Sequence, residues 1–330
     1  MKPLKIGFGI LVAVLIFLFA PLPYYITYPG EATTIENFMT VEDGTKDAGK
    51  LMMVTISQRR ATPLWLVGSW FTPFTEASPS SRYLYDGEGE SDYERRQQLL
   101  MSSSQQAAIQ YAYGLAEEDV TVTFDGMYVS APITGSLAAN VLKSGDVITA
   151  LDGESFASRL DFIDRVSTFE AGDEVTITLE RDGRERVVKT LVQPLNRSGS
   201  RVGLGIYEPL PVQDVRTEPD VTFELTNVGG PSAGLMFTLE IYDQLTPGDL
   251  AGGETIAGTG TVDEEGDVGP IGGAWQKIVA ADRAGASVFF VPAGSNYDEA
   301  LESLDRLESD IAVVPVETVE DAIDYLESMN

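Results

Sequence analysis

Neither cysteine nor histidine occurs among the 330 residues of this chain. Without cysteine there is no disulfide, zinc thiolate, iron–sulfur cluster or thiol nucleophile. Without histidine as well, the common zinc and copper sites lose their ligands, and no metal or other cofactor is expected. A Ser-His-Asp triad cannot be built from this chain. Positive charge is also scarce: 22 Lys and Arg stand against 51 Asp and Glu, a formal net charge of −29. Phosphate contacts need clustered cations, so nucleic acid is disfavoured as a partner. The acids are read as a solubility device. An apolar content of 43% is enough for two modest domains with their own cores.

Charge is missing altogether between Lys5 and Glu31. The run Ile6 to Ala20, "IGFGILVAVLIFLFA", is strongly apolar, and "PLPYYITYPG" follows. A helix needs about 20 residues to cross the ~30 Å hydrocarbon core, and counting through Ile26 reaches that length. Pro21 and Pro23 can kink or end the helix, and Tyr24, Tyr25 and Tyr28 suit an interfacial belt. Leu18-Phe19-Ala20 lacks the A-x-A form of a cleaved signal peptide, so an uncleaved anchor is expected over residues 1–28. Lys2 and Lys5 precede it. The N-terminus is therefore expected in the cytoplasm and nearly all of the chain outside the cell.

Residues 29–117 read as an N-terminal β segment, with "LMMVTISQ" and an apolar patch "PLWLVGSWF", followed by a helical connector, "YERRQQLLMSSSQQAAIQYAYGLA". The acids of "DGEGESD" lack the glycine and closing glutamate of a calcium loop at the required offsets and read as a solvated loop. Residues 118–196 form a β-rich unit: "VTVTF", "MYVSA", "DVITALDG", "EVTITLE" and "RVVKTLVQ" are strand-like, with turns at Asp152-Gly153 and Asp182-Gly183. Two short helices fit "GSLAANVL" and "SRLDFIDRV". After a linker, "PLNRSGSR", residues 200–330 alternate between helix and strand as an α/β domain. Helices are expected over Ser232 to Leu245, Ala274 to Ala284, Asp298 to Leu307 and Val319 to Met329, with Gly285 as a C-terminal cap.

Two motifs in the last domain carry chemistry. In "NVGGPSAGLMF", Ser232 stands among Gly229, Gly230 and Gly234, which allow tight turns and close approach of a substrate. Pro231 suits the first turn of a helix. A nucleophile there faces free N–H groups and the positive end of the helix dipole, which can stabilise an oxyanion. The motif alone serves a merely capping serine equally well. The missing histidine narrows the base to a neutral lysine. Lys277 is the only lysine after Lys189, in a stretch (201–330) with 25 acids, four arginines and this one lysine. On a helix it shares a side with Ala280, Ala281 and Ala284, a small apolar surface suited to close packing. Burial there lowers an amine from about 10.4 toward neutrality, as a general base requires.

These motifs resemble known families. "GMYVSAPITGSLAANVLKSGDVITALDGESF", with Gly145-Asp146-Val147-Ile148 and Asp152-Gly153, is similar to bacterial PDZ domains. That resemblance implies peptide binding by strand addition and places Gly126, Met127 and Tyr128 near the peptide-carboxylate loop, although an ordinary strand entry accounts for them too. "GGPSAG" together with "PIGGAWQKIVAADRAG" is similar to the proteolytic domain of Lon proteases. The whole layout resembles the membrane-anchored PDZ–Lon-like serine proteases of Gram-positive bacteria, of the YlbL and SepM type. The expected fold class is thus an α/β (α+β) Lon-type proteolytic domain, preceded by a PDZ-like domain and a transmembrane helix. The resemblance assigns Ser232 as nucleophile, Lys277 as general base and Thr259, in "GTGTV", as the residue that orients the lysine amine. Gly230 joins the expected substrate-binding residues. Many Lon enzymes carry an acid three residues before the serine; Gly229 stands there instead. No G-x-x-x-x-G-K-[ST] loop occurs, so ATP-driven unfolding is not expected. Expected partners are peptide or protein substrates and the membrane, and homo-oligomerisation stays open. The rival reading is a non-enzymatic anchored PDZ scaffold with an inert Lon-like domain, which would have no reason to keep both Ser232 and Lys277.

Overall fold

A computed structural model of the protein describes residue 8 and residues 13–45, 48–195, 202–225 and 228–329. The chain divides into two compact units, one taken from residues 1–83, 222–225 and 232–330, the other from residues 84–221 and 226–231. In chain order, the first unit begins with strands β1 (Tyr24–Thr34) and β2 (Lys50–Arg60), the short helix α1 (Pro63–Ser69) and strand β3 (Glu76–Pro79). The second unit holds helix α2 (Glu90–Leu115), strands β4 (Asp119–Tyr128) and β5 (Val147–Leu151), helix α3 (Arg159–Ser167), and strands β6 (Glu174–Arg181), β7 (Arg184–Leu191) and β8 (Leu210–Glu218). The chain then returns to the first unit. There it forms α4 (Gly234–Leu245), β9 (Thr255–Gly258), α5 (Ala274–Arg283), β10 (Val288–Pro292), α6 (Ser295–Leu307), β11 (Ala312–Val316) and α7 (Val319–Met329).

The first unit is built on a six-stranded sheet in the order β11-β10-β9-β2-β1-β3. Strands β2, β9, β10 and β11 run parallel, while β1 is antiparallel to both β2 and β3. Parallel neighbours need crossovers, and α5 and α6 supply them. All five residues of β10, "VFFVP", are buried, as expected of a strand covered on both faces. Helix α5 sets Ile278, Val279 and Ala281 into a core with Met52, Val54, Ala257, Phe289 and Val291. It ends, as the sequence predicts, before Gly285, whose φ of 75° is the left-handed conformation that glycine adopts freely.

The structure divides the chain differently from the sequence boundaries. Residues 24–79, divided by the sequence between the end of the anchor (to residue 28) and a separate N-terminal segment (from residue 29), supply three of the six strands of the C-terminal α/β sheet. The ladder Thr255↔Lys50 to Gly258↔Met53 joins residues some two hundred positions apart, and no local pattern encodes that partnership. The expected apolar helix is also shorter at its C-terminal end. Residues 13–19 are helical, but Tyr24 to Ile26 belong to β1, where Tyr25 and Ile26 are buried and pair with Arg60 and Arg59. Pro21 and Pro23 explain the switch, since neither can continue a helix. No helix among the described residues is long and apolar enough to cross a membrane, and residues 1–7 and 9–12 of the expected span lie outside the described residues.

The second unit is an antiparallel sheet, β7-β6-β5-β4-β8, with a short strand Glu154–Ser155 beside β5. Val175, Ile177 and Leu179 alternate into its core with Met127, Ile148, Leu151, Phe156 and Phe162. Both predicted turns are present, with positive φ at Asp152, Gly153, Asp182 and Gly183, the signature of two-residue hairpins. Ser158 caps α3 by accepting from the N–H of Asp161 at 3.1 Å. The helix expected over "GSLAANVL" is only a 3-10 turn, Ala138–Asn140. Gly135, at φ 80°, and the turn closed by Asp146 leave too few residues for a run of i to i+4 bonds. Asp146 itself is buried, bound by Arg181 Nε and Nη2 at 2.6 Å each, and accepts from the N–H of Lys143 at 2.8 Å.

Candidate active site

Three side chains of the first unit converge although they stand far apart in sequence. Ser232 lies in the turn that leads into α4, Thr259 follows β9, and Lys277 lies in the first turn of α5. Gly258 favours this: a Cβ there would meet Met236 Sδ at 2.4 Å and Phe290 Cβ at 3.0 Å, so a larger residue would have to displace the Met236 side chain of α4. The backbone locks the arrangement. Gly260 N–H donates to the carbonyl of Ser232 at 2.9 Å, Leu235 N–H to the carbonyl of Gly260 at 3.1 Å, and Thr259 N–H to Phe290 at 3.0 Å.

Lys277 Nζ lies 2.6 Å from Ser232 Oγ and 2.9 Å from Thr259 Oγ1. Thr259 Oγ1 donates to the carbonyl of Ser232 at 2.9 Å. Lys277 is 2% exposed and Thr259 fully buried. Burial lowers the lysine from its ordinary value to about 7, and no neighbouring carboxylate opposes the shift. A neutral amine has one lone pair and two hydrogens. With Thr259 committed to donate to Ser232 carbonyl, its oxygen accepts one amine hydrogen. The lone pair is left for the Ser232 hydroxyl.

The N–H groups of Ser232 and Ala233 have no backbone carbonyl partner among the described residues, and they lie at the start of α4. They are candidate donors to a developing oxyanion. Gly230, expected to bind substrate, is different. Its N–H donates to the carbonyl of Gln97 in α2 at 2.8 Å, and its φ is 89°. Sequence reasoning missed two residues of α2 that bind Gly230 and Pro231 within the second unit. Gln97 accepts from Gly230, and Ser104 Oγ donates to the carbonyl of Pro231 at 2.9 Å. One of three consecutive serines in "MSSSQQ", Ser104 carries no signal that would reveal this.

Gly126, Met127 and Tyr128 belong to the second unit, in β4, and Ser232 to the first. Their backbone is engaged in pairing within the sheet. Met127 and Tyr128 pair with Ile148 and Val147 on one side, while Gly126, Met127 and Tyr128 pair with Val212, Pro211 and Leu210 on the other. Strand addition needs a free edge, and this one is filled by the chain's own β8. Met127 is wholly buried, and a Cβ on Gly126 would meet the carbonyl oxygen of Ile148 at 2.4 Å. These residues build the sheet.

Comparison with known proteins agrees with the two units. Residues 107–192 match the PDZ domain family, and residues 225–327 match the Lon protease (S16) C-terminal proteolytic domain. The chain pairs a PDZ-like domain with a Lon-like proteolytic domain. Lon protease of Metamycoplasma arthritidis (strain 158L3-1) is 36% identical over 97 residues, 29% of this chain and 11% of that protein. A probable periplasmic serine protease do/HhoA-like of Haemophilus influenzae is 36% identical over 69 residues, 21% of this chain and 15% of that protein. The PDZ domain of an SdrC-like protein from Listeria monocytogenes is 34% identical, with 26% of this chain and 90% of that one covered and a TM-score of 0.25. The match thus spans only a small part of each curated relative. Within the Lon-like match lie Ser232, Thr259 and Lys277; the β1–β3 strands that complete its sheet lie outside it.

Proposed function

We propose that this chain is an ATP-independent serine endopeptidase with a Ser-Lys dyad, held to the membrane by its apolar N-terminal run and acting on proteins or peptides outside the cytoplasm. The observation that carries the reading is the buried Lys277 amine, lowered to about 7, 2.6 Å from Ser232 Oγ. As Ser232 Oγ attacks a scissile carbonyl, Lys277 Nζ takes its proton, and the N–H groups of Ser232 and Ala233 receive the charge that develops on the carbonyl oxygen. The ammonium then returns its proton to the leaving amine. Water, deprotonated by the same amine, releases the acyl group. Thr259 is a positioning residue, aiming the lone pair at the serine. The absence of a G-x-x-x-x-G-K-[ST] loop supports independence from ATP and a preference for segments that are already unfolded.

The test is cleavage of an unfolded reporter protein by the membrane-reconstituted full chain. Cleavage is expected without nucleotide and unchanged when ATP is added; a requirement for ATP overturns the independence. Protease added to intact cells stripped of their wall is expected to digest the C-terminal domain. Protection until lysis overturns the orientation.

Thr259 gives a second expectation. Thr259→Val keeps the shape but removes the hydroxyl that joins the amine to the Ser232 carbonyl. Leaving buried polar groups unpaired costs about 1–3 kcal/mol, so the acylation rate is expected to fall roughly 10- to 100-fold, with Thr259→Ser restoring most of it. An equal loss in the serine variant, measured with a serine-reactive probe, removes Thr259 from the positioning role.

A further inference from the structure

The segment Leu64 to Phe71 is absorbed by neither the fold nor the dyad. Leu64, Trp65, Val67, Trp70 and Phe71 are all exposed, Trp70 by 76% and Phe71 by 82%. Single exposed apolar residues are ordinary, but a contiguous cluster with two tryptophans marks a contact surface. Residues 61–75 hold no charged residue, in a chain that is 22% charged. The segment is not loose. Thr62 caps α1 by accepting from Trp65 N–H at 3.4 Å. Ser69 Oγ donates to the carbonyl of Leu66 at 2.8 Å and Thr72 Oγ1 to that of Gly68 at 3.1 Å. Its polar groups are turned inward, on its own backbone, and its apolar side chains outward.

Its place in the fold says what covers it. Strands β1 and β2 are antiparallel, so the start of β1 and the end of β2 lie at the same end of the sheet. Leu22 N–H donates to the carbonyl of Ala61 at 2.8 Å, Ala61 N–H to that of Tyr24 at 2.8 Å, and Arg60 Nε to that of Leu22 at 3.3 Å. The apolar helix 13–19 and α1 therefore leave the sheet from the same point, each within two or three residues of this tie. Val14, Leu15, Ile16, Phe17 and Phe19 of that helix are exposed as well. Two exposed apolar elements thus leave the sheet at one tie, and the first is the run read as the membrane anchor. Arg59 and Arg60 border the patch, with the Arg59 guanidinium 3.9 Å from the centre of the Trp65 ring. Tryptophan and arginine together suit the headgroup level of a bilayer, where the ring sits at the boundary and the cation meets phosphate.

We propose that Leu64 to Phe71 is a second membrane contact, a short aromatic foot that rests in the interfacial layer of the same bilayer beside the N-terminal run. This rests on the membrane-anchored reading above. Its consequence is orientation. A single span joined by a short connection leaves a domain free to rotate about that connection, while a second contact fixes which end of the sheet faces the lipid.

The chain's own tryptophans provide the experiment. There are three, Trp65, Trp70 and Trp275, and only the first two lie in the patch. The full chain is reconstituted into phosphatidylcholine vesicles whose acyl chains carry bromine near the headgroup or near the terminal methyl. Shallow bromine is expected to quench roughly half of the emission or more, and deep bromine much less, as for rings at headgroup level. The Trp65→Phe/Trp70→Phe variant, which keeps aromatic bulk, is expected to lose that quenching and retain only the Trp275 emission. Extraction of the protein from vesicles by alkaline carbonate tells the two readings apart. Protein that washes off overturns the anchor and the foot with it. Protein that stays but is unquenched overturns the foot alone. The same holds for protein whose patch tryptophans become shielded only as its concentration in detergent rises, the behaviour of a face covered by a second copy.

Discussion

Lys277→Ala is expected to lower the rate of Ser232 acylation by about 10⁴-fold or more, and Ser232→Ala to abolish acylation and peptide cleavage together. The double variant is expected to be scarcely worse than either single one, because the two side chains act as a unit. The reason is local. Lys277 Nζ is 2.6 Å from the serine oxygen, and the chain contains no histidine that could take its place. The measurement is kcat/KM on an unfolded peptide, with labelling by a serine-reactive probe, on variants whose circular dichroism matches the parent. Undiminished cleavage by a folded Ser232→Ala variant would remove the serine from the mechanism. Labelling of the Lys277→Ala variant at the parental rate would remove the lysine.

The hydrogen-bonded pair of Ser232 and Lys277 was legible because of what surrounds it in sequence. A lone lysine among 25 acids between residues 201 and 330 has few structural uses, and the run of alanines after it predicts the tight packing that buries it. The structure adds what spacing cannot. Thr259 joins the amine to the Ser232 carbonyl, and a residue larger than Gly258 would have to displace the Met236 side chain. The resemblance pointed to Thr259; only geometry shows which atoms it holds.

The sheet was legible only in part. The run "LMMVTISQ" read as β and residues 200–330 as alternating helix and strand, but strand character does not name a partner. The parallel ladder between β2 and β9 is set by the tertiary fold, so half of the sheet was assigned outside the last domain. The same limit applies in the second unit. The sequence around Gly126 predicts a strand; whether its edge is open depends on Leu210 to Val212, more than eighty residues later, which fill it. "YYITYPG" reads as the end of an apolar span by hydropathy alone. Its aromatic and β-branched residues instead suit a strand, and Pro21 and Pro23 separate it from the helix before it.

The rate of Ser232 acylation by a probe that does not itself titrate is expected to rise with pH through about 7 and then level off, governed by one ionisation. The sign follows from the base. Only the neutral amine accepts the serine proton, and burial lowers Lys277 from 10.5 to about 7. Well below that value the amine is protonated, and the rate is expected to fall about tenfold for each unit of pH. Lys277→Arg is expected to be inactive across the whole range, since a guanidinium stays protonated. Stability carries the same ionisation. Between about 7 and 10.5 the unfolded lysine is charged and the folded one is not, so the unfolded chain binds more protons and stability rises with pH across that window. At pH 7 the buried amine costs about 4 kcal/mol by this linkage. Lys277→Met, which fills nearly the same space without an amine, is therefore expected to be inactive yet more resistant to urea at pH 7, with the advantage shrinking toward pH 10. An advantage independent of pH would show that the amine is not the origin of the cost, and a flat acylation profile would show that another group accepts the serine proton.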